Sequence, residues 1–452
     1  MKVIKFGGSS LASATQLEKV LNIVKSDPER RFVVVSAPGK RNDEDTKVTD
    51  ALIKYYKHYT KGVDVKADQE WIINRYQAMV DELGFKSTEM AKIAKSINDL
   101  ATLPIEDNDF LYDTFLAAGE DNNAKLIAEY FRNNGIEARY VHPRQAGIFV
   151  SSEPGNARIL PGAYDKLEEL RESDEVLVIP GFFGVTPDNQ ICTFSRGGSD
   201  ITGSIVAKAV QADVYENWTD VSGFKIADPR IIKNPEGIDI ITYSELRELS
   251  YMGATVLHED AIFPVRKEGI PINIKNTNAP EDEGTWIVGN TCQKSKYVIT
   301  GIAGKKGFAS INIEKDMMNS EIGFGRKVLQ VFEEYGISFE HMPSGIDTLS
   351  VMVHQSEFEA KEQNVLSGIS KAVNPDHIDI QSDLALIAVV GRGMKATRGT
   401  AGRIFAALAH ANVNVRMIDQ GSSELNIIIG VSNEDFEAAI KAIYAIFVEI
   451  RL

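Results

Sequence analysis

A chain of 452 residues with 43% hydrophobic content is long enough for about three domains with packed cores. Its net charge of −15 repels a nucleic-acid backbone and no Lys/Arg stripe interleaves with aromatics, so small-molecule chemistry is favoured. No run approaches the ~18 apolar residues of a membrane helix or forms a signal core. Cys192 and Cys292 are too few and too far apart for a disulfide framework or a four-ligand zinc site, so the expected location is the reducing cytoplasm.

Lys2 to Phe6 reads as a short buried strand and Gly7 to Ser10 as a turn with a capping serine. Leu17, Val20, Leu21 and Val24 then keep helical spacing before a strand at Phe32 to Ser36. That is a βαβ unit, with parallel strands and a right-handed crossover. Residues 48 to 135 are mostly helical and charged, an excursion expected over one edge of the sheet. Further strands at Glu137 to Val141, Val176 to Pro180, Asp213 to Glu216 and Pro271 to Lys275 alternate with helices, the pattern of an α/β three-layer sandwich with a mainly parallel sheet.

After Asn290 the chain matches itself at a shift of 76 positions. Val328 and Phe332 fall on Ile404 and Leu408, Gly336 to Phe339 on Asn412 to Val415, and Leu349, Val351 and Val353 on Leu425, Ile427 and Ile429. Each copy reads βαββα. The expected domains are therefore 1–292, 293–383 and 384–452, with a strand near 297–304 that can belong to the third.

Three segments carry candidate chemistry. A glycine pair between a buried strand and a helix lets backbone N–H groups approach phosphate without a Cβ in the way, and Lys5, just before Gly7 and Gly8, supplies a cation for a transferring phosphoryl group. No GxxxxGK[ST] occurs, so this is not a P-loop. The second segment, Pro180 to Gly184 and then Thr193 to Asp200, again opens a helix with glycines. Its Arg196 can clamp a carboxylate bidentately, and Asp200 is either a helix cap or an organiser of lysines and a Mg²⁺ shell. The third, Asn217 to Gly223 followed by Asp228-Pro229-Arg230, lies where ligands gather at the ends of parallel strands.

Together, KFGGSS at 5–10, AAGE at 117–120, GFFG at 181–184, RGGSD at 196–200, WTDVSGF at 218–224 and ADPR at 227–230 resemble the aspartate kinases of the amino-acid-kinase family. The C-terminal repeats resemble the paired ACT domains of such kinases. The resemblance implies transfer of phosphate from MgATP to the side-chain carboxylate of L-aspartate, the first step toward lysine, threonine and methionine. It implies Lys5, Arg196 and Asp200 as catalytic residues, and Lys5, Gly7, Gly8, Ser9, Thr219, Asp220, Lys225 and Arg230 around ATP. Ser36, Thr49, Glu120, Phe182, Arg196, Gly198 and Ser199 would surround aspartate, with Glu120 on its ammonium and Arg196 on its α-carboxylate; Thr46 is the alternative to Thr49. No residue is expected to hold a metal directly, Mg²⁺ arriving on the ATP phosphates.

Two positions leave the family pattern. Lys225 stands where an aromatic is usual and Thr255 where a lysine is usual, and Lys225 is expected to replace that cation on the nucleotide side. His258 has no chemical task and is expected to be structural. Gly391-Arg392-Gly393-Met394-Lys395-Ala396 fits a loose dinucleotide fingerprint, but only 56 residues follow it, so it is read as the first turn of the second repeat and the enzyme as monofunctional. In the first repeat, Met318, Gly323, Phe324, Gly325, Ser338, Phe339 and Glu340 match the family's effector pocket, lysine or threonine being the implied effector. The ACT resemblance also implies a homodimer through these domains, or a dimer of dimers. Other acceptors, such as glutamate or acetylglutamate, and a non-catalytic amino-acid sensor are the alternatives.

Overall fold

The computed structural model describes residues 1–450 except 196, 255, 256, 258 and 292–294, and at 259 and 260 the backbone alone. The chain divides into two compact units. The first holds Met1–Phe224, Asp239–Tyr243 and Val256–Thr291; the second holds Lys225–Ile238, Ser244–Thr255 and Cys292–Leu452. Two short segments expected in the N-terminal domain thus group with the C-terminal repeats.

In the first unit, strands β1 (Lys2–Phe6), β2 (Arg30–Val35), β3 (Ala138–Tyr140), β4 (Val176–Pro180), β7 (Val214–Thr219), β8 (Ile240–Thr242), β9 (Ile272–Asn276) and β10 (Thr285–Val288) form one sheet in the order β3-β4-β2-β1-β7-β9-β10-β8. All neighbours are parallel except β9 and β10. β5 (Phe183–Val185) and β6 (Ile191–Thr193) make a separate antiparallel pair.

Alternation along β1 sends Ile4 and Phe6 to one face, where they join Val33, Val35 and Val178 in a core closed by helices. Those helices are α1 (Ala14–Lys25), α2 (Val48–Thr60), α3 (Lys66–Leu83), α4 (Met90–Asp99) and α5 (Asn108–Asn133). The helical excursion therefore lies on a face of the sheet, with α5 over β2, β3 and β4, because α5 buries residues nearly all round and needs protein on every side. Short helices α6 (Pro143–Ala146) and α7 (Ala163–Glu168) precede α8 (Gly198–Ala209), which packs on the Lys5 side of β1 and β2 beside α7 and α10 (Phe263–Glu268). These make the three layers.

In the second unit, α9 (Tyr243–Tyr251, from Ser244 on) precedes a six-stranded antiparallel sheet of β11 (Gly301–Glu314), β12 (Phe339–His341), β13 (Thr348–His354), β14 (His377–Val390), β15 (Met417–Asp419) and β16 (Asn426–Ser432). Its helices are α11 (Phe324–Glu334), α12 (Gln355–Glu359), α13 (Glu362–Val373), α14 (Thr400–His410) and α15 (Phe436–Tyr444). The 76-residue shift carries α11 onto α14 end to end, and both helices start from a left-handed glycine, Gly323 at φ 80° and Gly399 at φ 81°. Residues Gly301 to Lys306 of β11 lie against Ala385 to Val390, inside the second repeat's strands, while its later half pairs with β13. Glu245 at the start of α9 is fully buried and accepts from Arg392 Nη1 at 2.9 Å and from the Thr300 hydroxyl at 2.6 Å. Arg392, the centre of the fingerprint-like turn, is thus spent on a structural ion pair. No helix among the described residues is long and apolar enough to cross a membrane.

Candidate active site

The turn after β1 does not lead directly into a long helix. Gly8–Leu11 forms a single 3-10 turn, and α1 begins only at Ala14, capped by the Ser13 hydroxyl, which accepts from Gln16 N–H at 3.4 Å. Among the described residues, neither the Gly8 nor the Ser9 N–H has a backbone acceptor, so these amides, rather than the N-terminus of α1, are the donors on offer. Gly39 N–H donates to Gly8 O at 2.8 Å, and a Cβ at Gly39 would sit 2.6 Å from the Gly8 carbonyl. The loop after β2 therefore closes on the turn at backbone contact.

Lys5 points away from the Phe6 core and is buried. Its Nζ lies 2.7 Å from Asp200 Oδ1 in the first turn of α8, and Asn217 Nδ2 donates to the same oxygen at 2.8 Å. Asn217 is the register partner of Lys5 across β1 and β7. Asp200 is also held through its carbonyl, which accepts from Tyr215 Oη at 3.2 Å. The ammonium is 3.6 Å from the point a Gly7 Cβ would occupy, so Lys5 and the glycine turn share one surface.

Glu120 lies on α5 with 5% of its surface exposed, and among the described residues its Oε2 has no hydrogen-bond partner. Desolvation pushes its carboxyl up to about 8, against the pull of the Ala37 and Glu120 backbone N–H groups. Gly119 is required next to it, because a Cβ there would meet the Ala37 Cβ at 2.9 Å. Ser36 directly follows β2, its N–H donating to Phe6 O at 3.2 Å and its carbonyl accepting from Asn123 Nδ2 at 2.7 Å. Thr49 is half-buried in the first turn of α2, whereas Thr46 is exposed in the preceding loop.

After β4, Phe182 adopts φ 77°, a conformation that is uncommon for a bulky residue and clusters at ligand sites. It is held by Thr202, whose hydroxyl accepts from Phe182 N–H at 3.0 Å and donates to Gly198 O at 3.0 Å. Gly181 and Gly198 are needed there. A Cβ on the first would lie 2.6 Å from Ser199 Oγ, and on the second 2.5 Å from the Phe182 ring. Arg196, Thr255, His258 and Cys292 lie outside the described residues.

Thr219 ends β7, its hydroxyl donating to Asp220 Oδ1 at 3.2 Å and its carbonyl accepting from Thr277 N–H at 2.8 Å. Lys225 and Arg230 fall in the second unit, not the first. Lys225 is exposed and lines a groove of about 530 Å³ with Lys233 and Gly237. Arg230 pairs with Asp228 at 2.6 Å, which holds the Asp228 carboxyl below its usual range. Among the described residues, no group of three or more His, Cys, Asp or Glu side chains could hold a metal ion.

In the first repeat, Met318 and Phe324 are buried, and Gly325 borders a groove of about 810 Å³ with Arg326 and Met342. Ser338 and Phe339 border another of about 570 Å³. Glu340 already has partners: His354 Nε2 stands 3.2 Å from its carboxylate, and Tyr251 hydrogen-bonds to it.

The sequence profile of the Amino acid kinase family matches residues 1–276, more than half of the chain. The chain belongs to the amino acid kinase family. An ACT domain profile matches residues 387–447 of this family member. It is 46% identical over 448 residues to Aspartokinase 3 of Bacillus subtilis, covering 99% of this chain and 98% of that one. The crystal structure of Clostridium acetobutylicum aspartate kinase superposes at TM-score 0.85 with 45% identity, covering 99% of each chain. E. coli aspartokinase III, solved with aspartate and ADP, shares the fold at TM-score 0.75 and 23% identity, again covering 99% of each chain.

Sequence reasoning placed Asn217 in a candidate segment without giving it a role, and missed Tyr215 and Asn123. Two adjacent polar residues, Glu216 and Asn217, inside an otherwise buried strand were the available signal, since a buried polar group needs a stated partner.

Proposed function

We propose that this chain transfers the γ-phosphoryl group of ATP to the side-chain carboxylate of L-aspartate, giving ADP and 4-phospho-L-aspartate. The observation that carries the reading is the unpartnered, buried Oε2 of Glu120 on the same unit as the Lys5–Asp200 pair. A buried carboxylate with an open oxygen calls for a cation, and an α-ammonium supplies one. An acetylated nitrogen would not.

The nucleophile is itself a carboxylate, ionised at pH 7, so no general base is needed. One of its oxygens forms the bond to the γ-phosphorus as the bond to the bridging β-phosphate oxygen breaks and ADP leaves. Lys5 faces the charge on the transferring group, and Asp200 and Asn217 fix its ammonium in place. The amides of Gly8 and Ser9 hold phosphate oxygens. Ser36, Thr49, Phe182, Gly198 and Ser199 wall the aspartate, with Arg196 on its α-carboxylate, and Thr219 and Asp220 serve the nucleotide. Asp200 would be the carboxylate nearest a Mg²⁺ carried on the ATP phosphates, which would supply neutralisation of phosphate charge.

The repeats regulate the enzyme by binding lysine or threonine near Met318–Gly325 and Ser338–Glu340, and they pair two chains into a homodimer. The exposed apolar side chains of Ile322, Phe339 and Ile346 on the first repeat support that pairing. An assay trapping acyl phosphate as hydroxamate, run with ATP, Mg²⁺ and aspartate with and without each amino acid, tests the reading. Product formation with inhibition by lysine or threonine is expected. No product refutes the activity, and indifference to both amino acids refutes the regulation.

A further inference from the structure

We infer that Asn123 is a second acceptor for the substrate α-ammonium, acting beside Glu120, and so helps decide that an amino acid rather than a plain dicarboxylate is bound. This rests on the reading of the site as an aspartate site. Asn123 is wholly buried on α5, and among the described residues its Oδ1 has no partner. A buried oxygen without a donor is costly and calls for an explanation.

The orientation of the amide follows from its other end. Nδ2 donates to Ser36 O at 2.7 Å, and a flipped amide would set two oxygens against each other at that distance. Oδ1 is therefore the atom left without a partner. Glu120 and Asn123 are three positions apart on one helix, hence on one side of it, and they contact the consecutive residues Ala37 and Ser36 at the end of β2. Both open oxygens thus belong to the same corner of the strand-end site.

An ammonium carries three donors, more than one carboxylate oxygen can take. A neutral amide oxygen adds an acceptor without a second negative charge, which would push the Glu120 carboxyl still higher. Asn122 shows the contrast. Its Oδ1 is also open, but its Nδ2 turns to Ser96 at 3.4 Å, away from β2.

The test uses the full chain with L-aspartate and with succinate, the same dicarboxylate lacking the amine, measured as substrate and as competitive inhibitor. Asn123→Ala is expected to raise the aspartate KM about 10- to 100-fold while leaving the ATP KM and succinate affinity within about twofold. Asn123→Leu, similar in volume, should show the same selective loss and stands in if the alanine variant does not fold. Equal loss for aspartate and succinate, as expected if Asn123 only props up Ser36, overturns the inference, and so does an unchanged aspartate KM. A wild-type chain that makes no aspartyl phosphate overturns the functional reading as well, so the two failures are told apart.

Discussion

Raising the pH from 6 to 8 should tighten aspartate binding by about 50-fold. The ammonium pairs with ionised Glu120, but burial holds the empty-site carboxyl at about 8. The ionised fraction is then about 1% at pH 6, about 10% at pH 7 and about 50% at pH 8, and the apparent affinity follows it. At pH 7 aspartate binding should release close to one proton, measurable by calorimetry in buffers of different ionisation enthalpy.

The same shift has a stability consequence of opposite sense. The folded chain keeps a proton that the unfolded chain gives up near the ordinary glutamate value of about 4.5, so Glu120's contribution is fully present below that pH and is lost as pH rises through about 8. The loss is on the order of 5 kcal/mol at most for the ligand-free protein. Glu120→Gln should flatten both slopes, leaving a weak, pH-independent aspartate KM and a Tm at pH 8 above that of the wild type. A log KM for aspartate that is level between pH 6 and 8 in the wild type would refute the reasoning.

Lys5→Met should lower kcat about 10²- to 10³-fold in the hydroxamate assay with little change in aspartate KM, since it removes charge that matters most in the transition state. Gly39→Ala drives a methyl into the Gly8 carbonyl and should cost roughly 1–3 kcal/mol in thermal denaturation while raising the ATP KM. Arg392→Leu takes the guanidinium from fully buried Glu245 and should cost roughly 3 kcal/mol in denaturant unfolding, Thr300 remaining as a donor. An Arg392→Leu chain as stable as the wild type would mean that this ion pair contributes nothing.

Much of this was readable from local pattern. β1 runs from Lys2 to Phe6 because an apolar run ends at a glycine pair, and α11 and α14 coincide under the 76-residue shift because apolar spacing and starting glycine repeat together. Pairing across long distances was not readable. The sequence left open that a strand near 297–304 joins the second repeat, but nothing in its composition says that Gly301 to Lys306 continues into the strand that serves the first, since register depends on partners some 80 residues away. The grouping of Lys225–Ile238 with the repeats was hidden likewise, because its anchors are the distant residues Ile302 and Tyr444. Within the site, motif residues such as Lys5, Glu120 and Asp200 stand out by charge near glycines. Asn123 does not, because α5 is buried almost all round and its periodicity marks no ligand side.

The central claim is the acceptor, and the direct measurement is acyl phosphate formation from ATP and Mg²⁺ with aspartate, glutamate and N-acetylglutamate in parallel. The account predicts hydroxamate from aspartate well above the other two. Turnover of N-acetylglutamate equal to or above that of aspartate, whose ammonium Glu120 is placed to receive, would contradict it.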